Sequence, residues 1–152
     1  MIKILCCGNQ YASDDGVGHH IYQILSNIKL PEGIHLYYPG LAGLNLLDYF
    51  ESNAIIIIVD AIRLGNPLGT IVRFTKENFP SLWQTGISLH SLGIIEAIKI
   101  GEILFPEKMP AQIVFFCIEG KQFEEYSTNL STEVQEAIPS FIEQIMKEIL
   151  TR

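Results

Sequence analysis

Residues 2–18, IKILCCGNQYASDDGVG, contain a short apolar run, a glycine-bounded loop and the start of a helical pattern. The run Ile2–Cys7 predicts a strand that is buried on both faces. From Asp15 to about Ile28, apolar residues recur at three- and four-residue spacing, which predicts a helix. The adjacent carboxylates Asp14 and Asp15 therefore lie where a strand passes into a helix. Ligands of open α/β sheets bind at junctions of this kind.

The composition indicates one globular domain, which we expect to span residues 1–152. The chain has 152 residues, 48% of them hydrophobic and 18% charged, which provides a sizeable core and argues against disorder. The net charge is −7, and no stretch of clustered Lys or Arg occurs. These features argue against nucleic acid or a membrane surface as a partner, because both select basic patches.

The sequence predicts a cytoplasmic protein. No apolar run approaches the roughly 20 residues that span a bilayer, and a strand pattern starts at the N-terminus without a signal peptide. The three cysteines are Cys6, Cys7 and Cys117. An odd number with two adjacent members is not a disulfide framework, which favours a reducing compartment.

Strand and helix patterns alternate along the rest of the chain, which predicts a three-layer α/β sandwich. Four isoleucines followed by Val59 are typical of a central parallel strand. The predicted strands are Ile2–Cys7, Ile34–Tyr38, Ala54–Val59, Gly69–Phe74 (near an edge) and Ala111–Ile118. The predicted helices after the first are Leu44–Phe50, a short one around Phe79–Gln84, Ser91–Ile103, and Ser131–Leu150 with a kink or break at Pro139.

Two further polar residues lie at equivalent junctions. Asp60 directly follows five aliphatic residues, where a carboxylate is costly unless something compensates it, and His90 directly precedes a helix. Because these junctions share one edge of the sheet, the fold can bring Asp15, Asp60 and His90 together. Two carboxylates and one imidazole with open positions suit a divalent zinc, nickel, iron or manganese ion.

Each candidate also has an ordinary structural explanation. Aspartates cap helices and turns, and a single histidine is more often a cap or a core residue than a ligand. Adjacent residues point in different directions, so one aspartate of the pair can cap while the other faces the crevice. His19, one helical turn after Asp15, is a second candidate ligand, and Cys117 with Glu119 is a weaker candidate for a reactive thiol. Nucleotide-binding and serine-hydrolase signatures are missing.

Taken together, the separated blocks resemble a known family. They are Gly8-Asn9-x4-Asp14-Asp15-Gly16-x-Gly18, Gly40-x-x-Gly43, Val59-Asp60-Ala61 and Ser88-x-His90-x-Leu92-Gly93. In order and spacing they are similar to the hydrogenase maturation endopeptidases, which trim the C-terminal extension from the large subunit of nickel–iron hydrogenases. The resemblance covers nearly the whole chain.

The resemblance implies a mostly parallel five-stranded sheet with helices on both faces. It also implies that Asp15, Asp60 and His90 form a metal-binding cleft and carry the catalysis. The metal would be nickel supplied by the large-subunit precursor, with other divalent ions able to substitute, and we expect a monomeric protease. Pro39 and Thr132 depart from residues that are frequent in the family, and neither is a proposed ligand.

Three other functions stay open at this point. One is a nickel-binding chaperone or sensor without catalytic activity, and another is a metal-dependent hydrolase of small amides on a similar scaffold. A nucleotide-binding regulator is the third, although the chain has no phosphate-binding signature.

Overall fold

A five-stranded sheet with the strand order 2-1-3-5-4 forms the centre of this computed structural model, which describes residues 1–78 and 89–152. For residues 89–92 only the backbone is described. The strands are β1 (Ile2–Cys7), β2 (Ile34–Gly40), β3 (Ile55–Ile62), β4 (Ile71–Thr75) and β5 (Gln112–Glu119). The described helices are α1 (Val17–Ser26), α2 (Leu89–Leu104) and α3 (Thr132–Leu150). Single 3₁₀ turns span Ser13–Gly16, Leu44–Tyr49, Lys76–Asn78 and Pro106–Lys108.

The sheet is mostly parallel, as predicted. Strands β2, β1, β3 and β5 run in one direction, and β4 pairs antiparallel with β5 at one edge. The isoleucine-rich β3 is central and buried along almost its whole length. Aliphatic side chains on both faces stabilise such a strand because each face is covered by another layer.

Helices cover both faces of the sheet and give the three predicted layers. On one face, α1 and α3 bury Ile21 and Phe141 against the odd-numbered residues of β3. On the other face, α2 and the turn Leu44–Tyr49 bury Ile98 and Leu46 against Ile56, Ile58 and Ile62. This alternation decides which helix each side chain of β3 faces.

Several element bounds differ from the prediction. The predicted first helix is divided into a 3₁₀ turn, which ends at Gly16, and α1, which begins at Val17. Strand β2 continues two residues beyond Tyr38 through Pro39, which is tolerated because β2 is an edge strand.

Two other predicted features are corrected or left without a test. Helix α3 continues past Pro139 without a break, since the apolar residues on either side, Val134 and Phe141, stay buried on the sheet. The predicted short helix around Phe79–Gln84 lies outside the described residues. Among the helices of residues 1–78 and 89–152, none combines the length and the apolar character that a bilayer crossing requires.

An arginine–glutamate cluster fastens α3 to the edge strand. Arg73 of β4 donates two hydrogen bonds of 2.8 Å to the two carboxylate oxygens of Glu148. Arg152 donates to the same carboxylate from one helical turn further along. Hydrogen bonds from Arg73 lower the pKa of Glu148 to about 2, with Arg152 adding to the effect.

We therefore expect the ionised carboxylate of Glu148 to stabilise the fold at neutral pH and to lose this effect in strong acid. A carboxyl with a lowered pKa stabilises the fold above its unfolded value, and that contribution is lost as the pH falls through the folded value. Glu148→Gln should lower the free energy of unfolding by about 1 kcal/mol at pH 7, a figure reduced for the exposure of Arg73. In urea titrations the deficit should shrink between roughly pH 5 and 2. A pH-independent deficit, or an equal one in the exposed control Glu143→Gln, would contradict this assignment.

Candidate functional site

Asp14 is a structural residue that organises the segment between β5 and α3. Its buried carboxylate accepts hydrogen bonds from the backbone N–H groups of Lys121 (2.8 Å) and Ser131 (2.7 Å). It also accepts the hydroxyl of Ser131, the residue that precedes α3. Asp14 therefore fixes residues 121–131 beside the loop that follows β1. The expectation that the adjacent aspartates separate into a structural and a crevice-facing residue agrees with this geometry.

Asp15 lies in the same 3₁₀ turn, but its carboxylate contacts the loop after β1. Its residue is fully buried, and its Oδ2 atom accepts the backbone N–H of Asn9 at 2.8 Å. The backbone can approach this closely because Gly8 has φ = +120° and a Cβ there would come within 2.0 Å of the Asp15 carbonyl oxygen. The glycine at position 8 is thus required for the position of Asp15.

Asp60 lies inside β3 and not at its end, since the strand continues to Ile62. The prediction that the strand ends at Val59 was three residues short, because β5 pairs with Asp60, Ala61 and Ile62 as far as Glu119. Asp60 is only 3% exposed. Its side chain lies on the sheet face that α2 covers, as do those of Ile58 and Ile62.

Asp15 and Asp60 are brought together by the fold. Burial raises the pKa of Asp60 well above its ordinary value, and the charge of Asp15 raises it further. A hydrogen bond of 2.8 Å from the backbone N–H of Ala61 opposes that rise. Two carboxyl groups in this arrangement disfavour their double negative charge unless a cation joins them.

Two buried thiols flank Asp60 on the neighbouring strands. Cys117 is its direct partner across β3 and β5, and Cys7 lies one residue beyond Cys6, the partner of Val59. Burial, followed by the charge of Asp60, raises the pKa of both thiols. Both cysteines are buried and free. The hypothesis of a reactive Cys117 is disfavoured, because a thiol with a raised pKa is a poor nucleophile.

The third predicted ligand, His90, is the second residue of α2, and its side chain lies outside the described residues. The backbone around it indicates the location of this turn. A Cβ on Gly93, one turn later, would lie 3.1 Å from the carbonyl oxygen of Ala42. Ala42 follows Gly40, the last residue of β2, whose carbonyl accepts the N–H of Gly8 at 2.8 Å. The first turns of α2 therefore start beside the loop that holds Asp15, on the face that contains Asp60.

The second candidate ligand, His19, has a different surrounding. Its ring packs on Tyr38 with 5.0 Å between centroids, and burial, together with His20, lowers its pKa. Tyr38 was not identified from the sequence, yet its hydroxyl donates to the Gly8 carbonyl at 2.9 Å. Burial and the charge of Asp15 raise the pKa of Tyr38. The only feature of the sequence that could have indicated Tyr38 was its position at the end of the predicted strand Ile34–Tyr38.

The donor set suits a divalent ion of borderline character. Carboxylate oxygens from Asp15 and Asp60, with an imidazole from His90, leave positions open for groups of another molecule. Among the side chains that the structure describes, no three His, Cys, Asp or Glu residues form a metal-binding group. The set of three ligands thus stays a prediction, since it needs the side chain of His90.

Comparisons of sequence and of structure both find hydrogenase maturation proteases. A family model described as hydrogenase maturation protease matches residues 19–148. The chain is 26% identical to the hydrogenase 2 maturation protease of Escherichia coli strain K12, over 95% of this chain and 88% of that protein.

Solved structures of such proteins have a similar fold. The hydrogenase maturating endopeptidase HybD from E. coli superposes with a TM-score of 0.84 at 26% identity, covering 99% of this chain and 92% of that one. The [NiFe] hydrogenase maturation protease HybD from Thermococcus kodakarensis gives 0.80 at 27% identity, over 96% and 97% of the two chains.

The two adjacent aspartates should differ in what their loss does to stability. Asp14→Ala leaves the N–H groups of Lys121 and Ser131 without their acceptor, which should lower the free energy of unfolding by about 2 kcal/mol. Asp15→Ala should cost less, because it also removes the repulsion with Asp60. Urea denaturation of both variants measures the difference, with the exposed Asp48→Ala as control. If Asp14→Ala and the control had the same free energy of unfolding, the structural role of Asp14 would be contradicted.

Proposed function

This chain belongs to the hydrogenase maturation protease family, and we propose that it removes the C-terminal extension of a nickel–iron hydrogenase large-subunit precursor after nickel insertion. As a family member it is a hydrolase. The observation that carries the proposal is the pair of buried carboxylates, Asp15 and Asp60, near the carboxyl ends of the parallel strands β1 and β3. We further propose that residues 1–152 act as one domain and as a monomer in the cytoplasm.

In this proposal nickel belongs to the substrate. The precursor presents the ion, and Asp15, Asp60 and His90 bind it directly or through water. A carboxyl group whose pKa is raised by burial and by a neighbouring charge gives up its proton when a cation arrives, so the pair is suited to detect the ion. Cleavage then follows only after the metal has been inserted.

The chemistry requires activation of water and of the scissile carbonyl. A divalent ion polarises a carbonyl or lowers the pKa of an attacking water. One carboxylate of the Asp15–Asp60 pair can take the proton from that water as general base, which is the sense in which the protease would be aspartyl-type. The buried surroundings of both residues exclude bulk water and strengthen these interactions.

Substitution of the three predicted ligands should abolish processing without unfolding the protein. Asp60→Asn keeps the shape of the buried side chain and removes its charge and basicity, so the rate of precursor cleavage should fall by at least about 10²-fold. Asp15→Ala and His90→Ala should have the same effect. Gel electrophoresis of the precursor follows the shortening of the chain, and thermal melting checks the fold. Normal processing by His90→Ala would remove His90 from the site.

Nickel-dependent recognition is tested with matched precursors. The purified protein, in sub-stoichiometric amount, should shorten a nickel-loaded precursor and leave the nickel-free precursor at full length. Equal cleavage of both forms would reject recognition through nickel, although the protease assignment would stand. Binding without any shortening would instead favour a nickel chaperone or sensor, and turnover of small amides in the absence of precursor would favour a small-amide hydrolase.

A further inference from the structure

Two positively charged residues lie at the site edge of the sheet. Arg63 follows the carboxyl end of β3, three residues after Asp60, and Lys121 follows the carboxyl end of β5. The two are in contact, because Nη2 of Arg63 donates to the carbonyl oxygen of Lys121 at 3.1 Å. This Arg63–Lys121 pair contrasts with the net charge of −7 of the whole chain.

The guanidinium of Arg63 is held in place although the residue is exposed. Its Cζ atom lies 4.5 Å from the ring centroid of Phe123, which is buried. The N–H of Lys121 donates in turn to Asp14 at 2.8 Å, so the backbone that accepts from Arg63 is itself fixed. A long side chain held in this way loses little further freedom when it binds an anion.

The charge of the pair is not neutralised by the carboxylates around it. Glu119, the nearest along β5, accepts the backbone N–H groups of Leu64 (2.8 Å) and Gly65 (2.8 Å). The oxygens of Asp14 are likewise used by backbone and hydroxyl donors. Within residues 1–78 and 93–152, no ion pair includes Arg63 or Lys121.

Several other cations do have a carboxylate partner. Lys3 contacts Glu51 at 2.8 Å, Arg73 and Arg152 contact Glu148, and Lys76 contacts Glu102. The Arg63–Lys121 pair has no such partner among the described residues, so it leaves positive charge at the carboxyl-end edge of the sheet.

We propose that the Arg63–Lys121 pair is a specificity subsite that binds a carboxylate of the substrate's C-terminal extension. The inference rests on the proposed function. Three residues of strand span roughly 10 Å, so an extended peptide that is cut near Asp60 reaches Arg63 about three residues from the scissile bond. The guanidinium has N–H groups beyond the one used by Lys121, and its planar fork suits a carboxylate. The carboxylate is either an acidic side chain or the terminal α-carboxylate.

Charge reversal tests the subsite. With the nickel-loaded large-subunit precursor as substrate, Arg63→Glu should raise KM roughly tenfold and leave kcat within about twofold, because the interaction lies away from the reacting atoms. Lys29→Glu is the matched control, since it makes the same charge change at an exposed position beyond the end of α1. Its KM should stay close to that of the unsubstituted protein. The effect of Arg63→Glu should also diminish at high salt.

Two altered precursors identify the carboxylate. One has the acidic side chains of the extension changed to amides, and the other has the extension lengthened by neutral residues, which moves the α-carboxylate. One of these altered precursors should bind the unsubstituted protein more weakly than the original precursor does, and should bind Arg63→Glu as the original does. The carboxylate changed in that precursor is the one that the subsite binds. If neither form does so, or if Arg63→Glu behaves like Lys29→Glu, the subsite is overturned.

Equilibrium binding of the same precursors separates this inference from the proposed function. A precursor that binds in a manner dependent on Arg63 but is never shortened would contradict the protease assignment and support the subsite. Cleavage at equal KM by the unsubstituted protein and by Arg63→Glu would support the protease and contradict the subsite.

Discussion

The repulsion between Asp15 and Asp60 is the constraint on which the site depends. Neither carboxyl group is exposed to bulk water, and the charge of Asp15 makes the charged form of Asp60 less favourable. The packed aliphatic faces of β3 stabilise the fold that keeps these two acids buried. A cation bound by both groups, as proposed above, would remove this repulsion. This property suits a protease whose proposed substrate contains a metal ion.

The residues around Asp15 and Asp60 have structural roles. Asp14 makes the bonds that hold residues 121–131, so that its neighbour Asp15 need not serve as a cap. Cys7 and Cys117 fill the space beside Asp60 with small, buried side chains of raised pKa that do not compete as nucleophiles. Helix α2 starts on the same face, beside the loop that follows Gly40. The elements that meet here are far apart along the chain, and the parallel sheet brings them to one edge.

The sequence was sufficient to predict the layers and the central position of β3. These features follow from apolar periodicity and from the rule that parallel strands end at a common edge. The bonds of Asp14 to residues 121–131 could not be predicted, because backbone donors leave no pattern in the residue types. For the same reason the fixed position of Arg63 was not foreseen, since it depends on the Lys121 carbonyl and on Phe123. The assignment of His90 as a ligand stays a prediction.

The bond from Ser131 to Asp14 joins residues that are 117 positions apart in the chain. A nascent polypeptide emerges with Asp14 early and Ser131 late, so this bond cannot form until synthesis is nearly complete. Contacts of such long range also form late during folding, because the entropy of closing the loop must first be overcome. In a partly made chain, the carboxylate of Asp14 therefore still lacks the backbone donors that it binds in the finished fold.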